Sequence, residues 1–264
     1  MATSGSTDFN QTGGDIVTRA LREIGAISKG EAPDADEMAD GMEALNAMVK
    51  QWQIEGINLW KQEDLILWLV KGTTKYTIGT GGDHAATTWV RTTLSAAAAA
   101  TDGTLTVSSI TGMSSADFVG VVLDDGTLQW DTINGAPTGS TVTLTGTVDS
   151  AAASGNQVWT YTSKPSRPLR LDSPRRRDKA LQDVPIWEVS RQEYFDTPNK
   201  TTQSPPVNVY YDPQLLNGEV RVWPAPDTVN DTLLFTAKMQ IEDFDSKTNN
   251  PDLPQEWLLS LIHI

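Results

Sequence analysis

The sequence predicts an α+β chain. An N-terminal helical hairpin and a C-terminal helix pack with an antiparallel β region, and a small all-β module is inserted into it. Three observations carry this. Apolar residues recur at helical spacing over residues 15–56, then switch to strand-like runs from Leu59 onward. Residues 79–163 differ from both flanks: they hold no Lys, no Glu and a single Arg, with abundant Thr, Ala, Gly and Ser. A helix-start pattern returns at Asp252.

Residues 1–14 are rich in Ser, Thr and Gly and form the expected flexible arm. A helix over Asp15–Gly25 places Ile16, Val17, Ala20, Leu21 and Ile24 on one face, with Gly25 as its stop. After a short connector, Asp34 and Glu37 have capping-box spacing. Behind them Met38, Met42, Leu45, Val49 and Trp52 step by four, three, four and three towards Gly56. These are two antiparallel helices joined by a tight turn. Leu65–Val70 and Thr74–Ile78 are expected strands.

Within 79–163, Thr104–Ser108 and Thr141–Thr145 alternate. Phe118–Leu123 and Thr127–Ile133 flank the hairpin turn Asp124-Asp-Gly126, and Val158–Tyr161 closes a module of five or six strands. Ala96–Ala100 and Ala151–Ala153 are small-residue connectors. Lys164–Lys179 is basic and punctuated by proline. Pro185–Ser190 is an expected strand, Arg191–Pro206 an exposed loop, and Val207–Tyr211 and Glu219–Trp223 a hairpin around Asn217-Gly218. Thr232–Met239 is a further strand and Asp243–Asn250 a loop; Asp252 and Pro254 open the last helix. The expected domains are the arm 1–14, a discontinuous domain of 15–78 and 164–264, and the insert 79–163.

Composition narrows the chemistry. With 264 residues the chain forms one or two domains. It has no cysteine, which excludes disulfides, a thiol nucleophile and cysteine-ligated metals. Only His84 and His263 are present, too few for a His-rich metal centre. The net charge of −14 opposes wrapping of nucleic acid. No apolar run is long enough to span a membrane. The polar start lacks the basic and apolar regions of a signal peptide, so a cytoplasmic product is expected.

Carboxylates crowd the start of the second helix at Asp34, Asp36, Glu37, Asp40 and Glu43. A carboxylate pair could cleave glycosidic bonds, but acidic residues here also complement a helix N-terminus and solvate an outer face. Asp124-Asp-Gly126 fits a hairpin better than a calcium loop. His84 has no second His nearby. The sharpest local anomaly is Lys164, Arg167, Arg170, Arg175, Arg176, Arg177 and Lys179, set against Asp172 and Asp178. This stretch could contact a subunit or partner, touch DNA phosphate, or be a solvated loop. The nine tryptophans are scattered along the chain and suit core and interface anchors rather than a sugar platform. No nucleotide, zinc-protease or serine-hydrolase motif is present. No enzyme and no cofactor is expected.

Several stretches resemble the phage head-to-tail adaptor proteins, also called head completion, packaged-DNA stabilisation or tail tubular A proteins. They are Gly14–Gly25, Glu31–Asp36, Ala44–Trp52, Pro185–Phe195, Pro198–Thr202, Val209–Asp212, Val222–Pro226 and Asp252–Trp257. Residues 79–163 lie outside the match and look like a β module that recurs in phage structural proteins. The resemblance implies a ring of twelve copies below the portal in the virion. Such a ring retains packaged DNA, which passes through its lumen without sequence-specific binding, and it docks the next tail component. Implied partners are the portal protein, a nozzle or tail-tube protein and other copies of the chain. Arg167, Arg170, Arg175, Arg176, Arg177, Lys179 and Trp257 are the candidate interface residues, with Arg175–Arg177 expected to meet an acidic surface on a neighbour. The rival functions are a peptidoglycan-cleaving virion protein and a receptor- or glycan-binding tail module.

Overall fold

The computed structural model describes residues 10–56 and 60–263. The chain divides into two compact units: residues 1–62 with 240–264, and residues 63–239. Among the described residues the helices are α1 (Gly13–Glu23), α2 (Ala35–Glu55), α3 (Arg191–Asp196) and α4 (Leu258–His263). The first strands are β1 (Gln62–Trp68), β2 (Lys75–Ile78), β3 (Ala85–Ala86), β4 (Val90–Thr93) and β5 (Thr104–Thr106). Next come β6 (Phe118–Val122), β7 (Leu128–Thr132), β8 (Thr141–Thr143), β9 (Gln157–Tyr161) and β10 (Arg170–Arg177). The last are β11 (Asp183–Pro185), β12 (Trp187–Glu188), β13 (Asn208–Asp212), β14 (Gly218–Trp223) and β15 (Thr232–Lys238). Strand content of 31% against 18% helix makes this a β-dominated α+β chain.

In the helical unit, α1 begins two residues before the position that periodicity alone suggests. Thr12 and Asp15 form a capping box, with the Asp15 amide donating to Thr12 Oγ1 at 3.2 Å and the Thr12 amide to Asp15 Oδ2 at 3.1 Å. Of the expected arm, residues 1–9 lie outside the described residues; Gly13 and Gly14 are buried in the first turn of α1. Helix α2 carries the predicted box, Asp34 with Glu37, and ends at Gly56 in the left-handed conformation. The two helices cross closely at Gly41, where a Cβ would come within 2.4 Å of Val17 Cγ1. Asn46 exchanges two hydrogen bonds with the Phe244 backbone, and Lys50 and Gln53 both donate to the Ile241 carbonyl. Side chains of α2 thus fix the returning segment. Ile16, Val17, Leu45, Val49, Ile241, Phe244, Leu258 and Leu261 form a core that belongs to this unit alone.

The β unit is layered. One sheet has the order β11-β10-β15-β1-β3, a second β12-β13-β14-β2, a third β4-β9-β6-β7, and β5 pairs with β8. Strand β1 explains the stacking. Leu65, Leu67 and Leu69 pack with Tyr76, Val209, Val220 and Val222 of the second sheet. Ile66 and Trp68, on the opposite face, pack with Trp159, Tyr161, Phe118 and Trp130 of the third. Burial on both faces accounts for the continuous apolar run Leu65–Leu69, while Val70 beyond it is exposed. The third sheet alternates likewise: Val119, Val121 and Val158 face a separate module core with Leu105, Val142 and Leu144. Fully burying each such side chain contributes roughly 1.5–3 kcal/mol.

The hairpin at Asp124-Asp-Gly126 forms as expected, with β6 and β7 antiparallel. The module contains six strands, β4 to β9, and β3 joins the host sheet beside β1. Four expectations change. Lys164–Lys179 contains the eight-residue strand β10, which accommodates its proline at a register shift between Asp172 and Arg175, with Ser173 at φ 51°. Residues 191–196, expected as loop, form α3, capped by Ser190 and Glu193. Pro185–Ser190 splits into β11 and β12, on different sheets. β12 pairs parallel with β13, so the β region is antiparallel with one parallel pair among its named strands.

Candidate functional site

The basic stretch is organised by β10 and its neighbours. Arg176 Nη1 donates to Asp231 Oδ2 at 2.6 Å. Arg177 grips Asp183 at both oxygens, Nε to Oδ1 at 2.6 Å and Nη2 to Oδ2 at 2.8 Å. Arg175 Nη2 lies 3.3 Å from Asp64 Oδ1, and Arg170 Nε 2.5 Å from Asp172 Oδ1. The hydrogen bond from Arg177 holds the Asp183 carboxyl below the usual carboxylate range. A run of cations in sequence is therefore a ladder of intrachain ion pairs in space, because strand pairing brings Asp64, Asp183 and Asp231 alongside. Within the chain, Arg175, Arg176 and Arg177 each pair with a carboxylate: Asp64, Asp231 and Asp183. Arg167 is half-buried before β10, close enough to Tyr211 to act on its hydroxyl. Lys179 is exposed, and its carbonyl accepts from Arg91. Trp257 belongs to the other compact unit. It packs in the helical unit against Trp52 and Trp60, with ring centroids 5.8 and 5.2 Å away.

A cleft of about 380 Å³ lies between the module strands and the β10–β11 turn, lined by Trp89, Arg91, Thr92, Thr93, Trp159, Arg177 and Leu181. Arg91 stands opposite Trp159 in the β4–β9 ladder, so both side chains share one face. Its guanidinium sits 5.5 Å from the Trp159 ring centroid, and Nη2 donates to the Lys179 carbonyl at 3.0 Å. Burial, and after it the charge of Arg177, hold Arg91 below the ordinary arginine range. It remains a cation all the same. No carboxylate among the described residues pairs with it, and its Nε is enclosed without a hydrogen-bond partner. Sequence reasoning missed this cleft. The signal present was that Arg91 is the single Arg of residues 79–163.

His84 is half-buried in the aromatic layer of the β unit. Its ring stacks on Trp130 at 4.1 Å, and Nδ1 lies 2.6 Å from the Tyr161 hydroxyl. Burial, with Lys164 nearby, lowers its pKa to about 4. Among the described residues no group of three or more His, Asp or Glu is placed to hold a metal ion.

In the acidic cluster, Asp34 and Glu37 serve the α2 cap. Asp36, Asp40 and Glu43 are exposed at helical spacing on one outer face. No helix among the described residues is long and apolar enough to cross a membrane.

No protein-family model and no curated protein matches this chain. Among solved structures it is similar to the Gp54 tailspike of Acinetobacter baumannii bacteriophage AP22, determined in complex with A. baumannii capsular saccharide. The similarity covers 30% of this chain and 15% of the tailspike, at 12% identity and a TM-score of 0.25. A likeness of that size carries no argument about function.

Proposed function

We propose that this chain is the subunit of a phage head-to-tail adaptor: a structural, non-enzymatic virion protein, made in the host cytoplasm. Twelve copies form a ring below the portal, retain the packaged DNA and receive the nozzle or tail-tube protein. The observation that supports this best is the contact of Trp257 with Trp52. Ala44–Trp52 and Asp252–Trp257 are two of the stretches that resemble the adaptor family, and α1, from a third, completes the same core. Segments far apart in sequence thus build one folded unit.

In this reading the exposed acidic face of α2 suits a DNA conduit, since like charge lets DNA slide without sticking. The ring closes through heterologous contacts between identical subunits. Cosedimentation with portal rings tests the proposal. The adaptor moves with the ring; a chain that stays behind under all salt conditions is not an adaptor of this kind.

A further inference from the structure

We propose that the cleft between Trp89, Arg91 and Arg177 binds an acidic saccharide, a pyranose bearing a carboxylate. The charge balance points to a monoanion. Arg177 is spent on Asp183 through two hydrogen bonds, which leaves Arg91 as the cation of the cleft without an ion-pair partner among the described residues. One uncompensated guanidinium matches one carboxylate, and the planar fork suits that geometry. A dianionic phosphate would ask for a second free cation.

The remaining lining favours a sugar ring. Trp89 presents a half-buried indole, the kind of apolar face on which a pyranose stacks. Trp159 is 3% exposed and serves as the wall that positions Arg91. The cleft volume of about 380 Å³ lies within the usual range of small-ligand sites. Every residue of the cleft belongs to the β unit, and the inference does not depend on the ring reading.

Saturation-transfer NMR on the full chain tests it with three probes at millimolar concentration: trigalacturonate, neutral maltotriose and inorganic phosphate. The expected result is transfer to trigalacturonate, little to maltotriose, and phosphate competing weakly. Arg91→Gln weakens trigalacturonate binding about tenfold or more, and Trp89→Ala weakens it without altering the far-UV circular dichroism of the chain. If Arg91→Gln fails to fold, Trp89→Ala and the probe comparison still decide. Absent transfer from trigalacturonate, equal binding of maltotriose, or phosphate binding as tightly as trigalacturonate would each overturn the proposal.

Discussion

Arg176 on β10 reaches Asp231, immediately before β15, with 2.6 Å between Nη1 and Oδ2 and side chains only 18% and 8% exposed. The most basic stretch of the sequence is thereby partly folded into a sheet. Removing one partner strands the other charge in a poorly solvated place. Arg176→Met is expected to cost about 3 kcal/mol in urea unfolding, because Asp231 then has no counter-charge. The double variant Arg176→Met/Asp231→Leu recovers most of that loss. Equal destabilisation of both variants would show that packing, not the uncompensated carboxylate, sets the cost.

His84 makes stability depend on mild acid. Its folded pKa of about 4 lies below the ordinary histidine value of 6.5, so the unfolded chain binds the proton more readily. Stability is full above pH 6.5 and declines as pH falls from 6.5 towards 4. His84→Phe keeps a ring against Trp130 but cannot titrate. The difference in melting temperature between wild type and His84→Phe should therefore change across that window, which cancels the contribution of the carboxylates. A constant difference would contradict the burial of a neutral His84.

Gly41 is required by contact rather than by backbone conformation. Alanine would gain about 1 kcal/mol of helix propensity, yet its Cβ would meet Val17 at 2.4 Å. Overpacking of this kind costs about 1–3 kcal/mol, so Gly41→Ala should be net destabilising by about 1 kcal/mol. Hydrogen exchange should locate the loss in α1 and α2.

Trp257→Ala removes the ring that joins Trp52 and Trp60. Because Trp257 is half-buried, the expected cost is about 2–3 kcal/mol, below that of a fully enclosed tryptophan. Exchange protection of the α1–α2 hairpin should fall with it. Unchanged protection would mean that Trp257 is a surface residue, available to a partner.

The helical hairpin was legible because its signals are local: Asp34 with Glu37, Gly56, and a stepped apolar face. The module strands were legible for the same reason, through alternation and the Asp124-Asp-Gly126 turn. Strand β10 was not, because arginines and a proline argue against a strand. Its carboxylate partners Asp64, Asp183 and Asp231 are assembled by sheet pairing. Helix α3 could have been read from Ser190 and Glu193, whose spacing is that of a capping box. The cleft was invisible for a different reason. Trp89 and Trp159 are separated in sequence by nearly the whole module and share a site only through β4–β9 pairing.

The most direct test of the adaptor account is the native mass of the full-length protein, alone and mixed with the cognate portal ring. The expected result is a monomer in isolation that assembles on the portal as twelve copies. A chain that remains monomeric and leaves the portal mass unchanged would contradict it.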